Sequence, residues 1–215
     1  MKSLQIILFT VITGTTYAQN TIGGWLMYWG VHPVGKSYEI YSEWQFRQKE
    51  LPSTHEQLLF RTGFGRKINQ NNSIGTGYGS ISYYKNSNEW SAPDAMEHRW
   101  WGQWVNQKRN GANILEHRLR TEYRWLEGAT PWRWRYRVMW IFPIHVFHPN
   151  NDALVIHLSN ELFVHNNDSF FDRNRVYAAV GYHCNTHCEI QMGYLHQTVH
   201  RQAAGQYIQL GFLIH

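Results

Sequence analysis

Two neighbouring segments carry the residues of this chain best suited to chemistry. In ILEHRLRTEYRW, Glu116, Arg118, Arg120, Glu122 and Arg124 recur at every second position. In PWRWRYRVMWIF, Arg133, Arg135 and Arg137 do the same, with Trp132, Trp134 and Tyr136 interleaved. Such a pattern suits three purposes. Guanidinium on phosphate and rings on bases would grip a nucleic-acid strand. A half-buried strand would turn its aromatic side to a protein core. A membrane strand would turn that side to lipid and its arginines to a barrel interior.

Other residues invite chemistry and mostly decline it. HCNTHC, from His183 to Cys188, holds the only two cysteines, and two thiols with two imidazoles could ligate zinc. In an exported chain, however, a turn-closing disulfide between Cys184 and Cys188 is the stronger expectation. Among the 13 histidines, His98, His117 and His157 fall within strand-like segments, His98 and His117 on the aromatic side. His157 shares a face with Ser159 and Glu161, but side chains two residues apart on a strand stand about 7 Å apart, too far for a nucleophile–base hydrogen bond. Gly75, Gly77 and Gly79 have neither the lysine nor the following helix of a phosphate loop. Glycine at alternate positions instead relieves crowding on one face of a sheet. No catalytic residue, metal site or cofactor is expected.

What positions these residues follows from the whole chain. It has 215 residues, 43% hydrophobic, 16% aromatic and 16% charged, against about 25% charged in an ordinary soluble protein. The N-terminus carries Lys2, the apolar run Leu4 to Val11 and small residues ending at Ala18, which predicts a signal peptide over residues 1–18 with cleavage after Ala18. The mature chain would then hold 19 basic and 15 acidic residues, scattered rather than clustered. Export and the lack of a dense basic run argue against nucleic acid. Mean hydropathy is −0.52, and after the signal no apolar run is long enough for a transmembrane helix.

Eleven segments alternate with period two: Trp25 to Val31, Tyr38 to Gln48, Gln57 to Lys67, Ser73 to Tyr84, His98 to Lys108, Ile114 to Trp125, Trp132 to Ile144, Ala153 to Val164, Arg175 to His183, Glu189 to Thr198 and Tyr207 to His215. Most exceed the 5 to 6 residues of a globular strand and suit a tilted membrane strand of about 9 to 11. Their aromatic side suits lipid and interfacial girdles; their other side carries Arg and Glu that can pair across a confined space. Turns near Pro33 to Lys36, Asn69 to Asn72, Asn110 to Asn113, Pro149 to Asp152 and Asn185 to His187 are short. The connections between them, Lys49 to Glu56 and Thr198 to Gln206 included, are generally longer. The expectation is an all-β fold: one transmembrane antiparallel barrel over residues 19–215, with short periplasmic turns and longer extracellular loops. Single-chain bacterial barrels have even strand counts, which raises the eleven segments to twelve, with ten as the fallback.

The interior of such a barrel would be lined by Glu39, Glu43, Arg47, Arg61, Arg99, Glu116, Arg118, Arg120, Glu122, Arg124, Arg133, Arg135, Arg137, Glu161 and Arg175. Unpaired charge is expensive where water is scarce, so these side chains are expected to pack the interior as mutual pairs. The competing expectation is a narrow pore whose arginine excess draws small anionic solutes.

Several longer segments resemble a known family. LLFRTGFG, EHRWWGQW, EHRLRTEYRW, NELFVH, FDRNRVYAAVGY, QMGYLHQ and the ending QLGFLIH are similar to the Bacteroidetes-type outer-membrane proteins grouped as domain-of-unknown-function family 2490. The likeness covers essentially the mature chain, although His215 stands where a terminal Phe or Trp is common. It implies a barrel in the outer membrane of a Gram-negative bacterium and no established activity. The implied partners are outer-membrane lipid and, during biogenesis, periplasmic chaperones and the barrel assembly machinery. A structural or channel-like role is expected, followed by a lipid-modifying enzyme and then a soluble periplasmic β-sandwich.

Overall fold

Alternation carries the whole architecture, because a strand with one apolar and one charged side folds stably only when each side finds its own environment. The computed structural model describes residues 18–51, 54–84, 92–126, 131–144, 154–166 and 170–214, and nearly all of them lie in strands. The strands are β1 (Ala18–Val34), β2 (Tyr38–Glu50), β3 (Thr54–Lys67), β4 (Asn72–Tyr83), β5 (Ala95–Asn110), β6 (Asn113–Trp125), β7 (Trp132–Pro143), β8 (Leu154–His165), β9 (Phe171–Asn185), β10 (Cys188–Val199) and β11 (Ala204–Ile214). The expected signal peptide, apart from Ala18, and the turn at Pro149 to Asp152 lie outside the described residues.

These strands form one closed barrel in sequence order, so a two-sheet sandwich is not the fold. Every neighbouring pair is an antiparallel hairpin except the seam, where β1 pairs with β11 in parallel, Trp25 opposite Gln209 and Tyr28 opposite Phe212. The seam corrects the expected strand count. An even number is required only when all neighbours are antiparallel; a parallel closing pair allows eleven. Ala18 and Ile214 therefore lie at opposite rims.

The connections also differ from expectation. At one rim β1–β2 and β5–β6 are tight turns through Gly35 and Gly111, whose φ values of 65° and 60° suit glycine. The same rim carries a longer connection, residues 144–153 between β7 and β8. At the opposite rim, called the loop side here, residues 84–94 form a long connection. Residues 51–53 and 200–203 there are short, because β2, β3, β10 and β11 all extend into the expected loops. The contrast between short turns and long loops is thus weaker than the sequence suggests.

Side chains sort by parity. Phe60, Trp100, Leu119, Trp125, Trp134, Trp140, Met192 and Phe212 are all exposed on the outer wall, Phe60 at 60% and Met192 at 64%. An outer wall with this many exposed apolar side chains is consistent with a barrel that faces lipid. Inside, Leu59, Ile81, Trp101, Val155, Phe163 and Leu195 are buried together with most of the charged set. A barrel of eight strands is filled by ordinary side chains, whereas wider ones leave a channel. Eleven strands need large inward residues, and these have them.

The glycines of β3 and β4 make room for two of those residues. A Cβ at Gly63 or Gly77 would run into the Trp101 ring, and one at Gly65 or Gly75 into Tyr41. The Tyr41 and Trp101 rings, 5.9 Å apart and tilted 55° to each other, therefore pack against a glycine-paved stretch of inner wall.

Candidate functional site: the charged interior

The register of the central strands creates an electrostatic problem. β6 and β7 pair so that Arg118 faces Arg137 and Arg120 faces Arg135, while β5 and β6 set Arg99 opposite Arg124. Like charges directly opposite each other destabilise a sheet. The carboxylates resolve this diagonally and across the barrel.

Glu122, with 0% exposure, is the hub. Arg133 donates to it from Nε at 3.0 Å and also from Nη2, and Arg135 Nη1 donates at 2.8 Å. Arg61 Nη2 and Arg99 Nη1 stand 3.7 and 3.8 Å away, so four guanidiniums from β3, β5 and β7 converge on one carboxylate. Glu161 on β8 takes Arg118 at 2.7 Å and Arg135 at 2.9 Å. Glu43 takes Arg61 at 2.6 Å and the Gln45 amide. Glu116 takes Arg137 and, at 2.9 Å, Gln107. Near the turn-side rim, Glu39 accepts from Tyr41 and pairs with Lys67 at 3.1 Å.

Of the fifteen side chains named from the sequence, twelve take part in ion pairs. Arg47, Arg120 and Arg175 do not: among the described residues, no carboxylate lies within 4.0 Å of any of them. Neutral amide oxygens and aromatic faces serve instead. Arg47 donates to Gln45 and Gln57 and lies 4.0 Å above the Trp25 ring. Arg120 donates to Gln103 and sits 5.0 Å from the Trp101 ring. Arg175 donates from Nε to Gln197 at 2.7 Å.

Alternation left out several participants. Glu97, fully buried, holds Arg99 at 2.7 Å together with Arg124; its parity with Arg99 was there to be read. Asp172 was hidden by a bulge. The β8–β9 register steps from Phe163 opposite Arg173 to Val164 opposite Phe171, which leaves Asp172 unpaired and turns it inward. There it meets Arg173 at 3.1 Å and Arg133 at 3.5 Å. Glu189 stands 2.8 Å from His157 Nε2 and 3.1 Å from His183 Nε2. His157 thus lies within ion-pair distance of a β10 carboxylate, while its Nε2 makes no hydrogen bond among the described residues.

The outer wall carries polar pairs of its own. Tyr78 bonds His98, and His117 Nδ1 lies 2.8 Å from the Tyr136 hydroxyl, both on the aromatic side expected for these histidines. On β1 and β2, His32 Nε2 is 2.9 Å from Ser42 Oγ and 3.2 Å from the Tyr28 hydroxyl, in space left open by Gly30. At the β9–β10 turn, Cys184 and Cys188 carry free thiols. Cys184 is the extra residue of a second register shift, between His183 opposite Glu189 and Asn185 opposite Cys188.

What the interior can do is hold its own walls together. Charges this dense and this buried resist hydration and separation, and breaking one pair strands a charge. The family model described as "Protein of unknown function (DUF2490)" matches residues 22–208. No curated protein and no solved structure matches the chain.

Proposed function

The chain belongs to the DUF2490 family, and from that premise we propose that it is an outer-membrane barrel of structural role whose interior is closed by its Arg/Glu network. One observation carries this reading: Glu122 is fully buried while guanidiniums from three strands reach it across the barrel. An open pore would hydrate such a carboxylate, as selectivity rings in channels are hydrated. The apolar exterior supports placement in a bilayer, and the barrel form is compatible with the outer membrane. Cell fractionation with heat-modifiable migration in SDS gels tests the location; recovery in the soluble periplasmic fraction overturns it. Conductance of the refolded protein tests closure.

A lipid-modifying enzyme is the second reading, and the outward Ser42–His32 contact favours it, since a nucleophile and base within hydrogen-bond reach on a lipid-facing wall could attack an acyl ester. The repetition of Tyr–His pairing at Tyr78–His98 and His117–Tyr136 supports the simpler account, in which polar groups facing lipid satisfy one another. Incubation with phospholipid or lipid A followed by mass spectrometry decides: unaltered lipid removes the enzyme.

A further inference from the structure

Of the three interior arginines held by amides and rings, Arg175 is the one that lies against two rings. Its guanidinium lies 4.8 Å from the Phe163 ring and 5.0 Å from the Trp25 ring, so aromatic faces from β8 and β1 fix its plane. Only Nε has a protein acceptor, Gln197 Oε1 at 2.7 Å. Among the described residues its terminal Nη groups have no acceptor, and the side chain is half-buried rather than sealed.

The surroundings are cationic. Arg47 lies on the same Trp25 ring at 4.0 Å; Arg135 and Arg173 lie 4.4 and 5.9 Å from the Phe163 ring. Arg47 has neutral amide partners, and Arg173 shares Asp172 with Arg133. The Glu56 carboxylate acts on Arg47 from a distance, but among the described residues none pairs directly with Arg47 or Arg175, and Glu122 and Glu161 are already occupied by other arginines. Arg47, Phe163, Arg175 and Gln197 all belong to the loop-side halves of their strands, so the corner lies in the half of the barrel nearer that mouth.

A guanidinium with both donors of its fork free, its plane fixed by rings and its neighbours cationic is built to receive a planar or tetrahedral oxyanion bidentately. We propose that Arg175 is the anchor of an oxyanion-binding site at the loop-side mouth, taking the phosphate or phosphomonoester group of a soluble solute. Arg47 and Arg173 supply the surrounding field, and Trp25 with Phe163 hold the fork. The site deepens the closed-barrel reading: the solute binds at the mouth and does not cross.

The test is calorimetric titration of the refolded full chain in detergent, at constant ionic strength, with inorganic phosphate in one arm and glycerol phosphate, a soluble lipid headgroup, in the other. Binding at one site per barrel is expected, and the tighter titrant identifies the source of the anion. Arg175→Gln should weaken binding roughly ten- to hundredfold, the value of a hydrogen-bonded charge, while Arg66→Gln leaves it unchanged. Arg175→Lys keeps the charge but not the fork, and should also weaken it. Heat-modifiable migration confirms that each variant is folded. A folded wild-type protein that binds neither titrant, or an Arg175→Gln or Arg175→Lys protein that binds like wild type, overturns the site while leaving closure of the barrel to be judged by conductance alone.

Discussion

Replacing Glu122 with glutamine preserves the shape of the side chain and removes one negative charge from the point where Arg61, Arg99, Arg133 and Arg135 meet. At an effective dielectric of about 20, unit charges 2.8 Å apart, the Arg135–Glu122 separation, attract by about 6 kcal/mol. Desolvation of both ions offsets much of that attraction, and measured losses on stripping one partner from a buried pair are about 3–5 kcal/mol. Glu122→Gln should therefore lower the unfolding free energy of the refolded barrel by about 3–5 kcal/mol, read from urea titrations of the heat-modifiable band. Arg133 is left with Asp172 at 3.5 Å as its remaining carboxylate. Adding Arg133→Met to Glu122→Gln should accordingly cost less than Arg133→Met alone, because it removes a cation already stripped of its main partner. A loss below about 1 kcal/mol for Glu122→Gln, or strict additivity in the double variant, refutes the hub.

Three further outcomes are expected. Phe60, 60% exposed at mid-strand on the outer wall, should tolerate arginine within about 0.5 kcal/mol if it faces water but lose about 2–4 kcal/mol if it faces the bilayer midplane, so folding of Phe60→Arg into lipid vesicles reports membrane placement. Gly77→Ala drives a Cβ into the Trp101 ring and the Thr62 carbonyl and should cost about 1–3 kcal/mol in the same urea assay; a neutral result would mean the inner wall is loosely filled. Cys184 and Cys188 are unbridged in the structure, but in protein isolated without reductant from an exporting cell they should be oxidised to one disulfide; two titratable thiols per chain would show that no bridge forms.

The strands were legible because each keeps its period for many residues; all eleven segments coincide with β1 to β11. Boundaries failed where alternation fades. β1 begins at Ala18, seven residues before the segment read from the sequence, since Gly23 and Gly24 have no side chains to alternate; pairing with β11 sets its course instead. The count went to twelve on the even-strand rule, and only the parallel seam could show why eleven closes. Within the interior, parity placed Arg118, Arg120 and Glu122 on one wall but not which arginine meets which carboxylate, because the solution runs diagonally and across the lumen. Asp172 required the bulge. The stacking of Arg175 between Phe163 and Trp25 joins β9, β8 and β1, residues whose proximity no local spacing encodes.

Closure of the interior is the central claim, and single-channel recording of the refolded chain in planar bilayers tests it most directly. Insertion of heat-modifiable, folded protein should add no steady conductance, and Glu122→Gln, which loosens the hub, should introduce one. Stable, ohmic, anion-selective currents from the wild-type protein would contradict the account, and their loss in an Arg118→Ala and Arg135→Ala variant would establish a pore in its place.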